Sequence, residues 1–167
     1  MKGGTIRNNT AQAGGGIYVD AACGFTMDGG TVDSNTAEDS EGGGIFVTSA
    51  YDYNFGSYAK INAGNITNNR TETTFAWGGG GVFVNSGGAL NISYASITDN
   101  TAKGLGGGVS GCPHASIAVT AITNGAAIFK NKAQGEQFPT NPFAPTRYRF
   151  CDTGQRKQAS SCGRLPI

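Results

Sequence analysis

The residues whose types could do chemistry are few and scattered along the chain. Cleaving a polysaccharide needs two carboxylates held close together, or a metal with a strong base beside it. Asp33 and Asp99 come nearest to this when the repeats are aligned, but their positions differ by one, and the intervening repeat carries Thr67 and Asn68 there. Asp28 aligns with Asn62 and Ser93, and Asp20 with Thr48 and Asn85, so no acidic column forms. The single histidine, His114, follows Pro113, and no Gly-x-Ser-x-Gly elbow is present to supply a nucleophile beside it. Glu38, Asp39 and Glu41 are the densest acids and read as a solvated turn rather than a calcium loop. The glycine triplets lack the Lys-Ser/Thr that completes a phosphate loop. The four cysteines include no Cys-x-x-Cys pair, which argues against a zinc ribbon or a thioredoxin-type site. The expectation is a chain with no catalytic residue, no metal and no cofactor.

What must position these residues is a repeat. Ile6-x-x-Asn9 recurs as Val32-x-x-Asn35, Ile66-x-x-Asn69, Ile97-x-x-Asn100 and Ile128-x-x-Asn131, at spacings of 26, 34, 31 and 31 residues. A second pattern alternates with it: Gly14-Gly15-Gly16-Ile17-Tyr18-Val19, Gly42-Gly43-Gly44-Ile45-Phe46-Val47 and Gly79-Gly80-Gly81-Val82-Phe83-Val84, with a weaker copy at Gly106-Gly107-Gly108-Val109. A third column precedes the first by five residues, at Met27, Ile61, Ile92 and a degraded Thr123. No helical apolar spacing occurs. Short strands cannot bury an apolar face alone, but stacked coils can, each strand pairing with its equivalent about 4.8 Å away. This predicts an all-β chain folded as a parallel β-helix, right-handed by the handedness rule, with about four to five coils over residues 1–133. Asn suits a tight left-handed turn, and stacked amides form a hydrogen-bonded ladder. Glycine permits sharp turns and close coil-to-coil approach. Tyr18, Phe46 and Phe83 point opposite to their neighbours, either as a stack inside the coil or as an outward stripe; the interior stack is the expectation.

Two segments exceed the repeat length. Relative to the preceding coil, six residues are added between Val47 and Ala59 and three between Asn69 and Gly79. Insertions in solenoids form loops on a face, often the binding face. These hold Tyr51, Tyr53, Phe55 and Tyr58 in one and Phe75 and Trp77 in the other. Rings with a polar tip suit glycans and protein partners, while rings folded back over a sheet face are the competing arrangement. Trp77 and Tyr53 are expected to be the more exposed.

The repeat stops near Gln134, and residues 134–167 form a separate, basic C-terminal segment. Pro139, Pro142 and Pro145 block further strands there. Five cations (Arg147, Arg149, Arg156, Lys157 and Arg164) face one acid, Asp152, over 139–167. With no aromatic interleaving or motif, that points to a solvated cap or tail rather than a nucleic-acid contact. Solenoid ends need covering, and Phe138, Phe143, Tyr148 and Phe150 could lie over the last coil. Cys23 and Cys112 fall three coils apart, about 14 Å along the axis, too far for a disulfide; Cys151 and Cys162 could close a loop in the tail. Net charge is +1, charged residues are 14% and no long apolar run is present, so no membrane-inserting segment is expected. Met1 reads as a fragment start, with an export signal lost upstream.

Gly3-Gly4-Thr5-Ile6 and Gly29-Gly30-Thr31-Val32, each followed by x-x-Asn, resemble the repeats of bacterial surface β-helix proteins, the chlamydial polymorphic outer-membrane proteins among them. The chain departs from those motifs, Gly-Gly-Ala-Ile and Phe-x-x-Asn, in having Thr for Ala and Ile or Val for Phe. The resemblance spans about residues 3–133. It implies an extracellular or cell-surface, adhesin-type module and transfers no catalytic residue. The expected partner is a host glycan or a host secreted or surface protein, such as an immunoglobulin, held by the inserted aromatic loops. A carbohydrate-active lyase or hydrolase and a structural stalk are the alternatives.

Overall fold

The computed structural model describes residues 1–48, 56–74, 77–112, 115–119 and 126–134. Within them every regular element is a strand and all pairing is parallel. The chain opens with a partial coil: β1 (Thr5–Arg7), β2 (Thr10–Ala11) and β3 (Ile17–Val19). Three complete coils follow, each with a ten-, a two- and a three-residue strand. They are β4 (Gly24–Asp33), β5 (Thr36–Ala37), β6 (Ile45–Val47); β7 (Tyr58–Thr67), β8 (Arg70–Thr71), β9 (Val82–Val84); and β10 (Ala89–Thr98), β11 (Thr101–Ala102), β12 (Val109–Gly111). A last partial coil contributes β13 (Ser116–Val119), β14 (Ala127–Phe129) and β15 (Lys132–Ala133). The parallel β-solenoid class is as the repeat predicts; the count is three full coils with a partial one at each end rather than four to five.

Equivalent strands stack into three sheets. The broad sheet runs β1-β4-β7-β10-β13, with β14 also on β10; the narrow sheet runs β15-β11-β8-β5-β2; the third runs β12-β9-β6-β3. The broad and third sheets enclose the core, which includes Met27, Ile61, Ile66, Ile92 and Ile97 from one side and Ile45, Val47, Val82 and Val84 from the other. The Met27 and Val32 columns prove to belong to one continuous strand, not two. Five residues apart, they would face opposite ways in a regular strand. Gly30 and Gly64, at φ of 96° and 112°, twist the chain between them so that both columns turn inward. In β10, which lacks that glycine, Tyr94 takes the extra outward place at 55% exposure. The column then continues from Ile92 to Val119 rather than Thr123, because the last coil is longer between its two half-strands; Thr123 itself lies outside the described residues.

The asparagine column is a closed ladder. Asn35 Nδ2 donates to Asn69 Oδ1 at 2.9 Å, Asn69 to Asn100 at 3.0 Å and Asn100 to Asn131 at 3.0 Å. The main-chain N–H of each also donates to the next Oδ1, at 2.9–3.0 Å. The second amide hydrogen goes to a carbonyl of the preceding coil, from Asn69 to Val32 and from Asn100 to Ile66, both at 2.9 Å. Each inner asparagine thus accepts twice and donates twice from the amide while fully buried, which is all a side-chain amide can do with good geometry. The left-handed turn expected of these asparagines sits one residue earlier. Asn8, Ser34, Asn68, Asp99 and Lys130 have φ of 53–57°. That residue turns the corner and aims the next side chain inward.

The triplets complete the corner opposite. Each first glycine has positive φ, for example 71° at Gly42 and 73° at Gly79. The second has no room for a side chain: a Cβ on Gly43 would lie 2.5 Å from the Gly80 carbonyl oxygen. The third packs on the ladder, where a Cβ on Gly81 would come within 3.0 Å of the Asn100 amide. Ala37 and Ala102 fill the narrow sheet's buried column, where Thr71 alone adds a hydroxyl, and that hydroxyl is buried without a partner.

Two outcomes follow for urea unfolding. Asn69→Ala orphans buried donors on Asn35 and acceptors on Val32 and Asn100, and should cost on the order of 3–6 kcal/mol, whereas Asn9→Ala at the exposed end should cost about 1 kcal/mol or less. Thr71→Val replaces an unpaired hydroxyl by a methyl of similar size and should stabilise by about 1–2 kcal/mol; a loss of stability would mean that the hydroxyl has a partner.

Candidate functional site

The two insertions occupy corners at opposite ends of the third sheet. Elsewhere the chain leaves that sheet by a tight turn: Cys23 N–H donates to Asp20 O at 3.1 Å, Gly88 to Asn85 at 2.9 Å and Ala115 to Cys112 at 2.9 Å. After β6 the same turn is replaced by a longer excursion, closed at its base where the Ser57 hydroxyl donates to Thr48 O at 2.7 Å. The second insertion enters the sheet ahead of β9. Because β6 and β9 pair directly, with Ile45 opposite Val82, the two insertions flank one pair of strands, separated by a strand length of about 10 Å.

Of the six aromatic residues expected to bind, Tyr51, Tyr53, Phe55 and Phe75 lie outside the described residues. Tyr58 opens β7 and points out of the broad sheet, 40% exposed. Its ring lies across Gly24 of the preceding coil, and Lys60 Nζ stands 5.0 Å from the ring centroid. It therefore covers a gap in the sheet on one side and offers its remaining edge to solvent. Trp77 is half-buried rather than well exposed, and its carbonyl accepts from the Ser110 hydroxyl.

The ring column between the insertions is not interior. Tyr18 and Phe46 stack at 5.1 Å with their planes 7° apart, and Phe46 and Phe83 at 5.4 Å. Ile45, Val47, Val82 and Val84 alternate with these rings and belong to the central core, whereas the rings do not. The column therefore lies on the outer face, where Gly42 and Gly79 approach the backbone of Phe46 and the Cβ of Phe83. Phe46 and Phe83 are nonetheless 6% and 2% exposed; only Tyr18, at the open end, is accessible, at 52%. Sequence reasoning did not single out Tyr94 as a candidate. It stands opposite Ala63 of the preceding coil, one residue before Ala95, which takes the place of Gly64.

The acids stay apart. Asp33 pairs in register with Thr67, which pairs with Thr98, so Asp99 does fall one position further on. Asp28 accepts from the Asn62 amide at 2.7 Å, and Asp33 from Asn68 at 2.9 Å with Arg7 at 4.0 Å. Glu38 and Asp39 are exposed, and Ser40 Oγ donates to Glu41 at 2.5 Å. Among the described residues no three His, Cys, Asp or Glu gather as a metal site. Glu72 holds Arg70 at 2.7 Å and also pairs with Lys103. The Lys103 hydrogen bond, with the Arg70 and Lys103 charges, draws its carboxyl below the usual range against the opposing effect of burial. That contribution is present above the ordinary carboxylate range and fades as pH falls through the lowered value. Cys23 is exposed, and Cys112 donates to Asn85 Oδ1 at 3.2 Å. His114, Cys151, Cys162 and the basic segment lie outside the described residues.

Comparison with protein-family models, with curated proteins and with solved structures returns no significant match.

The stacked rings act in packing, and this can be tested. Phe83→Ala should destabilise by about 3–5 kcal/mol, and Tyr18→Ala by less than about 1 kcal/mol as a surface change; equal losses would contradict the outward, one-ended stack.

Proposed function

We propose that the chain is a non-catalytic, adhesin-like binding module of an exported or cell-surface protein, contacting a host glycan or host protein through the segments at 48–58 and 70–78. The observation that carries this is the placement of both insertions around β6 and β9. A solenoid that served only as a spacer has no need to lengthen two corners of one coil with rings. The scaffold beneath them is rigid, because the rings of Phe46 and Phe83 are buried and the ladder is saturated, and binding loops gain from such support. The tyrosines and Trp77 are the residue types that anchor glycans and protein partners. The likeness to bacterial surface repeats points the same way. Against a polysaccharide-cleaving role stands the engagement of Asp28 and Asp33 with amides on separate columns.

The test is binding of the full chain to an array of host glycans and secreted host proteins, alongside Tyr53→Ala and Trp77→Ala. We expect a hit that either substitution weakens while the melting curve is unchanged. No hit, or a hit indifferent to both, contradicts the reading; release of reducing ends from a polysaccharide panel would replace it with the catalytic one.

A further inference from the structure

The outer column of the third sheet changes character at β12. In register it reads Tyr18, Phe46, Phe83 and Ser110. Three rings stack in succession, and the fourth place holds a hydroxyl. The change is visible in the sequence as the weaker triplet copy, where Val109-Ser110-Gly111 stands for the Val82-Phe83-Val84 of the coil before. Ser110 is 2% exposed. A hydroxyl buried that far needs a partner. It finds one 33 residues earlier, donating to the main-chain carbonyl of Trp77. The corner is tight. A Cβ on Gly106 would lie 2.5 Å from the Ser110 Cβ, and one on Gly79 would lie 2.8 Å from the Phe83 Cβ and 3.0 Å from the Ser110 hydroxyl. A phenylalanine here, as in the coil before, would also take the donor away from the Trp77 carbonyl.

The main chain that follows Trp77 is held as well. Gly78 and Gly79 have φ of 51° and 73°. Gly79 N–H donates to the carbonyls of Leu105 and Gly106 at 3.2 and 2.9 Å. Gly78 is pressed so closely on the next coil that a Cβ there would fall on the Leu105 carbonyl oxygen. Ahead of Trp77, Glu72 of the same insertion pairs with Lys103. These contacts all run to residues 103–110 of the following coil.

From them we infer that Ser110 is a positioning residue for Trp77. Its hydroxyl sets the Trp77 main chain against the 105–106 segment, so the candidate binding site extends from β6 and β9 onto the following coil. Trp77 is half-buried, so part of it is held by the protein and part is left for a partner. A ring placed in advance loses less freedom when a partner binds. The consequence for binding rests on the role proposed for Trp77 above; the placement of Trp77 does not, and it can be read with no partner present.

Trp77 is the only tryptophan in the chain, so tryptophan fluorescence of the full chain reports this one place. Emission maximum, acrylamide quenching and anisotropy are compared in Ser110→Ala, Ser110→Thr and Val32→Ala. Ser110→Ala removes the donor and should shift emission to longer wavelength, raise quenching and lower anisotropy. Ser110→Thr keeps the hydroxyl and should stay at the wild-type values. Val32→Ala truncates the core two coils from Ser110. It should lower the melting midpoint and leave all three fluorescence values unchanged, which separates positioning from stability. For any partner found on the array, Ser110→Ala should weaken binding about two- to tenfold, the worth of one hydrogen bond. Unchanged fluorescence in Ser110→Ala overturns the inference whatever the array returns, as does an equal change in Val32→Ala. A shifted signal with an empty array overturns the adhesin reading alone and leaves the placement of Trp77 standing.

Discussion

Burying a side-chain amide in every coil is the constraint on which the rest of this structure depends. An amide taken out of water without partners is costly, so the ladder exists only if each asparagine meets the next at hydrogen-bonding distance. That demands one rung per coil, parallel strands and an unbroken register from Asn9 to Asn131. A shift of one residue would orphan several buried groups at once and turn the Val32, Ile66 and Ile97 column outward. The ladder therefore fixes register in a stack whose strands are in places only two residues long.

The same demand explains the glycines. The ladder side chains project across the coil and end against the third glycine of each triplet, while the second glycine meets the main chain of the narrow sheet and of the next coil. At that corner the cross-section is one backbone thick. The central apolar cluster lies between the broad and third sheets and includes Met27, Ile61, Ile92, Val47 and Val84. Since the outer rings of Phe46 and Phe83 are also buried, the third sheet is packed on both faces at β6 and β9. The two insertions flank that pair of strands.

Much of this was legible in the residues because a repeat makes its own alignment. The Ile-x-x-Asn and Gly-Gly-Gly columns gave the strand equivalences, and the ladder followed from the chemistry of stacked amides. Three features escaped for physical reasons. The left-handed turn falls on Asn8, Ser34, Asn68, Asp99 and Lys130, a column too mixed in type to show its conformation, so the turn was credited to the invariant residue beside it. Alternation places Phe46 opposite Ile45 but cannot say which side is inside, because both columns are apolar and the rings stack on each other as readily outside as in. The Met27 and Val32 columns looked like separate strands because the residues between them, Asp28 to Thr31, resemble a turn; the glycine bends the strand without ending it. Of the candidate site, the sequence located the insertions and their corners, while the fit of individual rings depends on packing it does not encode. Tyr58 shows this: its ring fills the space above Gly24, a contact between residues 34 positions apart.

Amide hydrogen exchange resolved by residue tests the central role of the ladder most directly. The account predicts that the main-chain N–H of Asn35, Asn69 and Asn100, together with their side-chain amide protons, exchange as slowly as the core strands and open only with global unfolding. Side-chain amide protons at those three positions that exchange at the rate of exposed asparagines would contradict it, and the register would then have to be held by the apolar columns alone.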